Sequence, residues 1–148
     1  MKRLQKKLEK LALGKSVRIE ETIPDQYGRG MALVYDNQTL INKEMVASGW
    51  VRYHHDNSPV TEEVKAASDL ARREKRGIYG ACQSTENLKQ PKCNIKGNID
   101  KSTDSRIYYV PGCAQYRFAI VEEDIGEQWF CSEAEAKKAG YIKAKTCK

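Results

Sequence analysis

All five cysteines of this 148-residue chain lie after residue 80. Cysteines cross-link small folds or bind metals, so the segment that holds them is chemically distinct from the segment before it. The hydrophobic content of 40% is enough for a core of ordinary size. We therefore predict a boundary near residue 80 between a cysteine-free domain and a cysteine-bearing one. The cysteines are Cys82, Cys93, Cys113, Cys131 and Cys147.

The first forty residues combine a helical pattern with two strand patterns. Leu4, Leu8 and Leu11 recur at spacings of four and three, which predicts a helix over about 2–13. Apolar and charged residues then alternate from Val17, and a second apolar run follows the polar turn that begins at Pro24. These patterns predict two strands joined by a loop.

Helical spacing returns in the second half of this domain. Apolar residues from Leu40 onward predict a helix that ends at Gly49, and residues 50–53 are predicted to form a short strand. Ser58 and Pro59 are typical of a helix start, and the helix that follows is predicted to end at Gly77. The fold class is therefore α+β, with residues 1–80 as the first domain.

The cysteine-bearing part divides into a polar stretch and a small module. Residues 81–105 are polar with little periodicity, which predicts a linker or an irregular lead-in. Residues 106–148 contain strand candidates, and Ser132 with Glu135 three residues later is a capping box that opens a helix. We predict a small strand and helix module over 106–148.

The loop before the second strand contains an arginine between two glycines, in the order Tyr27, Gly28, Arg29, Gly30. Glycine permits a close backbone approach, and a guanidinium offers a two-pronged donor to phosphate oxygens. The same pattern is also typical of an ordinary β-turn with a surface arginine.

The order of elements from Leu4 to Gly80, with this loop inside it, resembles the C-terminal half of staphylococcal nuclease. The resemblance implies a partial OB-fold barrel with helices. In that family of phosphodiesterases, a calcium ion held by carboxylates acts with two arginines on the phosphate under attack. By resemblance, Arg29 matches the second arginine and is the candidate catalytic residue, while Tyr27 and Arg29 are the candidate phosphate-binding residues.

The family's metal-binding aspartates, first arginine and general-base glutamate belong to strands that would precede Met1. No Arg-x4-Asp-x-Pro-Glu segment occurs in the chain, so we predict no metal site and no cofactor here, with calcium implied only for the complete family domain. Four other acids near the loop are interpreted as solvated surface carboxylates. These acids are Glu20, Glu21, Asp25 and Asp36.

The adjacent histidines His54 and His55, beside Asp56, suggest a metal site or a general base. Neighbouring residues on a strand point to opposite faces, so we interpret both histidines as surface-loop residues.

The segments around Cys113, Cys131 and Cys147 resemble the zinc domain of the bacterial adaptive-response alkylation-repair protein and a tail that follows such nuclease domains in some bacteria. That zinc domain uses four cysteines, and two matching positions here are Tyr109 and Ala144, which argues against zinc. Two disulfides are the alternative, and four cysteines allow three pairings. We favour Cys93 with Cys131 and Cys113 with Cys147, which leaves Cys82 unpaired.

Composition adds expectations about partners and compartment. The formal charge of +6 and the isoelectric point near 9.0 suit nucleic acid as a partner. No apolar run is long enough for a membrane span, and no signal peptide is apparent, so export to the periplasm or medium would require a start upstream. A barrel lacking three strands would expose apolar edges, which predicts self-association or a complementing chain.

Two functions are therefore consistent with the sequence. The first is a truncated thermonuclease-family protein that binds phosphate or nucleic acid and is not a competent phosphodiesterase alone. The second is a non-catalytic binding or interaction module.

Overall fold

The structure is a computed structural model that describes residues 2–55 and 57–147, without the side chain of Glu21. Helix α1 spans Lys2–Ala12 and confirms the helix predicted from the leucine spacing. Gly14, two residues beyond the end of the helix, has a positive φ of 72°, which suits a glycine that ends a helix. None of the residues of α1 is buried, so its leucine stripe is only partly covered within the structure.

Strands β1 (Arg18–Pro24) and β2 (Gly30–Asp36) form an antiparallel hairpin, and the short strand β3 (Thr39–Leu40) pairs with β2. The register of β1 against β2 shifts between Glu20 and Ile23, so β1 carries a bulge. The sheet order is β1-β2-β3. Within the described residues these strands form an open sheet and do not close a barrel. The predicted α+β class is therefore confirmed, and the partial OB-fold barrel stays a prediction.

Three helices complete the first part of the chain: α2 (Ile41–Ala47), α3 (Thr61–Arg73) and α4 (Ile78–Ala81). Helix α2 packs against α3 and against β2 and β3, around a core of aliphatic residues. The members of this core include Leu33, Leu40, Ile41, Met45, Val46, Ala67 and Ala71.

The strand predicted at residues 50–53 does not form. Instead, the Arg3 guanidinium lies 5.3 Å from the centre of the Trp50 ring, and the Tyr53 hydroxyl lies 3.0 Å from Thr61 Oγ1. The segment is therefore held by side chains of α1 and α3, and its backbone has no neighbouring strand to pair with among the described residues.

The chain that leaves α2 and the chain that leaves α3 touch through two glycines. Gly49 and Gly77 have positive φ angles of 72° and 56°. A Cβ atom on Gly77 would lie 2.3 Å from the carbonyl carbon and oxygen of Gly49, and the Ile78 amide donates to the Gly49 carbonyl across 2.8 Å. Only glycine combines this backbone conformation with so close an approach.

The chain folds as two compact units, Met1–Ala81 and Cys82–Lys148. The second unit contains β4 (Gln83–Ser84), β5 (Ile95–Ile99), β6 (Arg106–Tyr109), β7 (Val121–Glu122), a 3-10 helix (Glu123–Ile125), β8 (Gln128–Phe130), α5 (Glu133–Lys138) and β9 (Ile142–Lys143). Strands β4 and β7 form a two-stranded sheet, and a four-stranded sheet has the order β8-β5-β6-β9. Its core is formed by Ile95, Tyr108, Phe130, Ala136 and Tyr141.

The expectation of a linker over residues 81–105 is wrong for its C-terminal part, because β5 is an inner strand of the four-stranded sheet. Its polar sequence hides this role. The Lys96 ammonium is buried and donates to the carbonyls of Tyr116 and Ala119, both across 2.8 Å. A Cβ atom on Gly97 would lie 2.5 Å from the Phe130 ring, so glycine is needed here for packing. Strands are usually recognised by an alternation of apolar and polar residues. In β5 a buried, hydrogen-bonded lysine and a closely packed glycine occupy buried positions that usually hold apolar side chains.

The predicted capping box at the start of α5 is present. The Ser132 hydroxyl accepts from the Glu135 amide across 3.2 Å, and the Glu135 carboxylate accepts from the Cys131 amide across 2.9 Å. The carboxylate thus reaches the residue before the N-cap rather than the N-cap amide itself. Gly140, with a φ of 84°, follows the helix.

Two disulfides cross-link the second unit, Cys93–Cys131 and Cys113–Cys147, and Cys82 is free. Of the three pairings open to the sequence, the structure has the favoured one. Because both sulfurs of the second disulfide are oxidised, neither offers the thiolate that zinc binds. The resemblance of residues 106–148 to a zinc domain stays a prediction.

Among the described residues, no helix has the length and apolar character needed to cross a membrane.

Candidate phosphate-binding loop

Residues 25–29 join β1 to β2 in a tight loop that is organised by the side chain of Asp25. The backbone closes through the Asp25 amide, which donates to the Arg29 carbonyl across 2.8 Å, and through the Gly28 amide, which donates to the Asp25 carbonyl across 2.9 Å. Asp25 Oδ1 accepts from the amides of Tyr27 and Arg29 at 2.8 and 2.9 Å. Gly28 supplies the positive φ of 77° that the turn requires. The hydrogen bonds that hold the loop therefore all lie within residues 25–29.

The Arg29 guanidinium is held in place by the same carboxylate. Its Nε and Nη2 atoms each lie 2.6 Å from Asp25 Oδ2, while the Arg29 side chain remains 75% exposed and that of Asp25 is 14% exposed. The hydrogen bonds from the Arg29 side chain and backbone, together with the Tyr27 amide, hold the pKa of Asp25 below its ordinary value. Asp25 is thus a carboxylate anion that fixes the orientation of the Arg29 guanidinium.

The outward side of this arrangement offers donors to solvent. Asp25 binds Nε and Nη2 of Arg29, and within the described part of the chain Nη1 has no hydrogen-bond partner. The guanidinium lies 5.1 Å from the centre of the Tyr27 ring. Tyr27 itself is 74% exposed. Because Asp25 cancels the formal charge of Arg29, the site attracts an anion through oriented N–H groups more than through net charge. A tetrahedral oxyanion beside an exposed aromatic ring is the chemistry that this geometry fits.

The structure brings together only Tyr27, Arg29 and Asp25 from the residues considered in the sequence. Asp36 is paired with Lys15 at 2.5 Å, and Glu20 is paired with Arg18. The side chain of Glu21 lies outside the described atoms.

The calcium ion implied by the resemblance does not fit this loop. Asp25 is the carboxylate in contact with Arg29, and its two oxygens already accept the four hydrogen bonds given above. Calcium prefers six to eight oxygen ligands, with several carboxylates among them. Over residues 2–55 and 57–147, no group of three or more His, Cys, Asp or Glu side chains is arranged to hold a metal ion.

The two histidines do not converge on one point. His54 Nδ1 lies 3.0 Å from the His55 carbonyl oxygen, and His55 Nδ1 lies 3.2 Å from the Tyr53 hydroxyl. Both rings are exposed in a segment without helix or strand, in line with the surface-loop interpretation. Asp56, considered with them in the sequence, lies outside the described residues.

The residue that sequence reasoning misses is Asp25, which it interprets as a solvated surface carboxylate. Its side chain is mostly covered because it accepts hydrogen bonds from the loop that follows it. The signal is present in the sequence, since an aspartate before a Gly-containing turn commonly accepts from amides two or more residues ahead. An arginine four residues after such an aspartate is within reach of it.

A comparison with protein-family models matches residues 2–81 to the family described as staphylococcal nuclease homologue. The match spans more than half of the chain and contains the whole Asp25–Arg29 loop. It places the family domain in the N-terminal part of the chain and confirms the resemblance to a staphylococcal-nuclease-like domain at the level of the family. A comparison with curated proteins found no match to the chain.

Proposed function

Because the chain belongs to the staphylococcal nuclease homologue family, we propose that its N-terminal domain binds phosphate groups of nucleic acid through Arg29 and Tyr27. The observation that supports this proposal is the double contact of the Arg29 guanidinium with Asp25, which leaves the arginine 75% exposed but fixed in orientation. Fixing a long side chain before the ligand arrives lowers the entropy cost of binding. The Nη1 group, which Asp25 does not bind, then donates to a phosphate oxygen.

Nucleic acid is the proposed source of that phosphate for two further reasons. The chain carries a formal charge of +6, which favours a polyanion over a single phosphate. The exposed Tyr27 ring beside Arg29 offers a face on which a base or sugar can pack next to its own phosphate.

The proposal does not include hydrolysis by this chain alone. In this proposal residues 2–81 correspond to the C-terminal half of the family domain, since the chain has no Arg-x4-Asp-x-Pro-Glu segment. Asp25, the carboxylate nearest Arg29, is committed to the loop and to the guanidinium. Arg29 therefore acts here as a phosphate ligand, and its family role as a catalytic clamp would require metal-binding carboxylates in addition to Asp25.

A titration of a fluorescently labelled single-stranded oligonucleotide at fixed salt tests the proposal. We expect Arg29→Ala to weaken binding by about tenfold, as for the loss of a charge-assisted hydrogen bond. Arg72→Ala is the matched control, because Arg72 also lies beside an aromatic ring, at 5.3 Å from the centre of Tyr79. It lies on helix α3, and no carboxylate of residues 2–55 or 57–147 forms an ion pair with it. Equal losses in the two variants would show that binding depends on diffuse charge alone.

A further inference from the structure

Strand β1 leaves one edge of its sheet open. It pairs with β2 on one side, and no strand among the described residues pairs with its other side. An edge strand presents backbone N–H and C=O groups that can accept another strand, and proteins usually protect such edges with lysines, prolines or covering loops. From Arg18 to Glu20 the strand has neither a lysine nor a proline.

The side chains on this edge are apolar on one face and oppositely charged on the other. Ile19 is 60% exposed and pairs in register with Val34, so both point to the same face. Arg18 and Glu20 lie on the opposite face, where they form an ion pair with each other and Arg18 lies 4.7 Å from the centre of the Tyr35 ring. From Arg18 to Glu20 the edge therefore combines the exposed Ile19 with an oppositely charged pair that flanks it, and the other exposed isoleucine of β1, Ile23, lies beyond the bulge.

We propose that β1 pairs antiparallel with β1 of a second copy of this chain, with Ile19 at the two-fold axis. In that register each Ile19 lies opposite its equivalent, and Arg18 of each copy lies opposite Glu20 of the other. A two-fold interface must match itself, and the order Arg-Ile-Glu does so in this register.

Neighbouring symmetric registers are disfavoured by charge. Centring the pair on Glu20 places two carboxylates directly opposite each other, and centring it on Arg18 does the same with two guanidinium groups. Like charges directly opposite on adjacent strands are destabilising, whereas opposite charges stabilise the pair. The charges of Arg18 and Glu20 therefore favour a second copy of this chain as the partner of β1, and they favour the register centred on Ile19.

The contact is short, because the bulge between Glu20 and Ile23 interrupts the regular part of β1. A short strand pair with one apolar contact on each copy gives a reversible dimer rather than an obligate one. The pairing makes no use of the phosphate-binding loop, so it does not rest on the function proposed above.

Sedimentation velocity of the full chain in about 0.15 M salt tests the pairing. Between about 1 µM and about 100 µM, the mean mass should rise from 16.8 kDa toward twice that value. Ile19→Lys should keep the chain monomeric over the same range, because a lysine would face a lysine across the two-fold axis.

Charge exchange decides the register. Arg18→Glu and Glu20→Arg should each raise the dissociation constant by about tenfold, since each creates two like-charge contacts across the axis. The double variant R18E/E20R restores both contacts and should return to within about threefold of the wild type. Lys43→Glu is the control: it breaks the ion pair between Lys43 and Glu63, which joins α2 to α3, and should leave association unchanged.

A wild-type chain that stays monomeric at every concentration would overturn the proposal, and so would a double variant that fails to recover. Association that survives Ile19→Lys, with the variant shown to be folded by circular dichroism, would place the interface elsewhere. If Ile19→Lys does not fold, the three charge variants still decide the question, because all of them keep the apolar side chains.

Discussion

The hydroxyl of Tyr108 donates a hydrogen bond to Oε2 of Glu133 across 2.6 Å, which joins a fully buried ring in β6 to the first residue of α5. Burial, and then the bond to Glu133, raises the pKa of Tyr108 to about 12 from its ordinary 10.0. The same bond holds the pKa of Glu133 below its ordinary value. This contact links the stability of the second unit to pH at both ends of the scale.

The alkaline side gives the first prediction. The folded state retains the Tyr108 proton while the unfolded state loses it above pH 10, so its contribution is complete below pH 10 and is lost as the pH rises to about 12. Burial lowers the pKa of Lys96, which acts in the opposite direction but is common to wild type and variant. Tyr108→Phe should lower the free energy of unfolding by about 2 kcal/mol at neutral pH and should show a shallower decline between pH 10 and 12.

Urea unfolding at neutral and alkaline pH, with absorbance at about 295 nm to follow tyrosinate, measures both quantities. Parallel pH profiles for wild type and Tyr108→Phe would contradict the assignment.

Replacing Asp25 by asparagine should weaken oligonucleotide binding by about threefold, although it makes the chain more positive. Electrostatic attraction between the chain and the oligonucleotide would by itself predict tighter binding by this variant. The gain in affinity from one more positive charge is small, however, in physiological salt. The loss arises because the neutral amide no longer accepts both guanidinium donors, and Arg29 becomes free to rotate. Asp69→Asn, at an exposed position on α3, is the control and should leave affinity equal or slightly higher. Tighter binding by Asp25→Asn would remove Asp25 from the site.

The isolated chain should not cleave DNA when calcium is added. The reaction requires carboxylates to hold the metal beside the phosphate, and the carboxylate next to Arg29 is already committed to the loop. A fluorogenic DNA substrate, assayed with calcium and again with a chelator, measures this. Turnover that disappears with the chelator and with Arg29→Ala would show that the chain carries a complete hydrolytic site.

Gly77→Ala should lower the free energy of unfolding by about 3 kcal/mol, because it adds the cost of a positive φ to a clash with the Gly49 backbone. Gly14→Ala is the matched control. Gly14 has a similar φ of 72° but no atom within 4 Å of the added Cβ, so we expect a loss of only about 1 kcal/mol. Denaturant titration of both variants separates the conformational cost from the clash. Equal losses would mean that the contact between Gly49 and Gly77 relaxes without cost.

Thiol labelling of the denatured, unreduced chain should find a single reactive cysteine, Cys82, and the variant Cys82→Ser should have none. Reduction should destabilise the second unit by about 4 kcal/mol for each disulfide in the chain-entropy description. Five labelled cysteines in an oxidised preparation, or one bound zinc per chain, would contradict the pairing.

Local signals account for the parts of the fold that could be predicted from the sequence. The leucine spacing of α1 and the capping box of α5 are short-range patterns that use only residues three or four apart. The Gly28 turn is of the same kind, which is why the loop containing Arg29 could be recognised as a candidate site.

The features that could not be predicted depend on distant partners. Strand β5 has a polar sequence because Lys96 is satisfied by carbonyls some twenty residues ahead, and no local pattern contains that information. The segment at 50–53 has strand-like residues, but its contacts come from α1 and α3. Asp25 is missed for a different reason, since its burial follows from a local turn whose aspartate looks like any surface acid.

The two disulfides interleave along the chain, since Cys113 lies between Cys93 and Cys131 while Cys131 lies between Cys113 and Cys147. A single backbone cut anywhere from Cys93 to Cys147 leaves at least one bond bridging the two fragments. Two consecutive loops would lack this property, because a cut between them would cross neither bond. A protease that nicks this region once therefore releases no piece until a reductant is added, and the nicked fragments stay within reach of each other to refold.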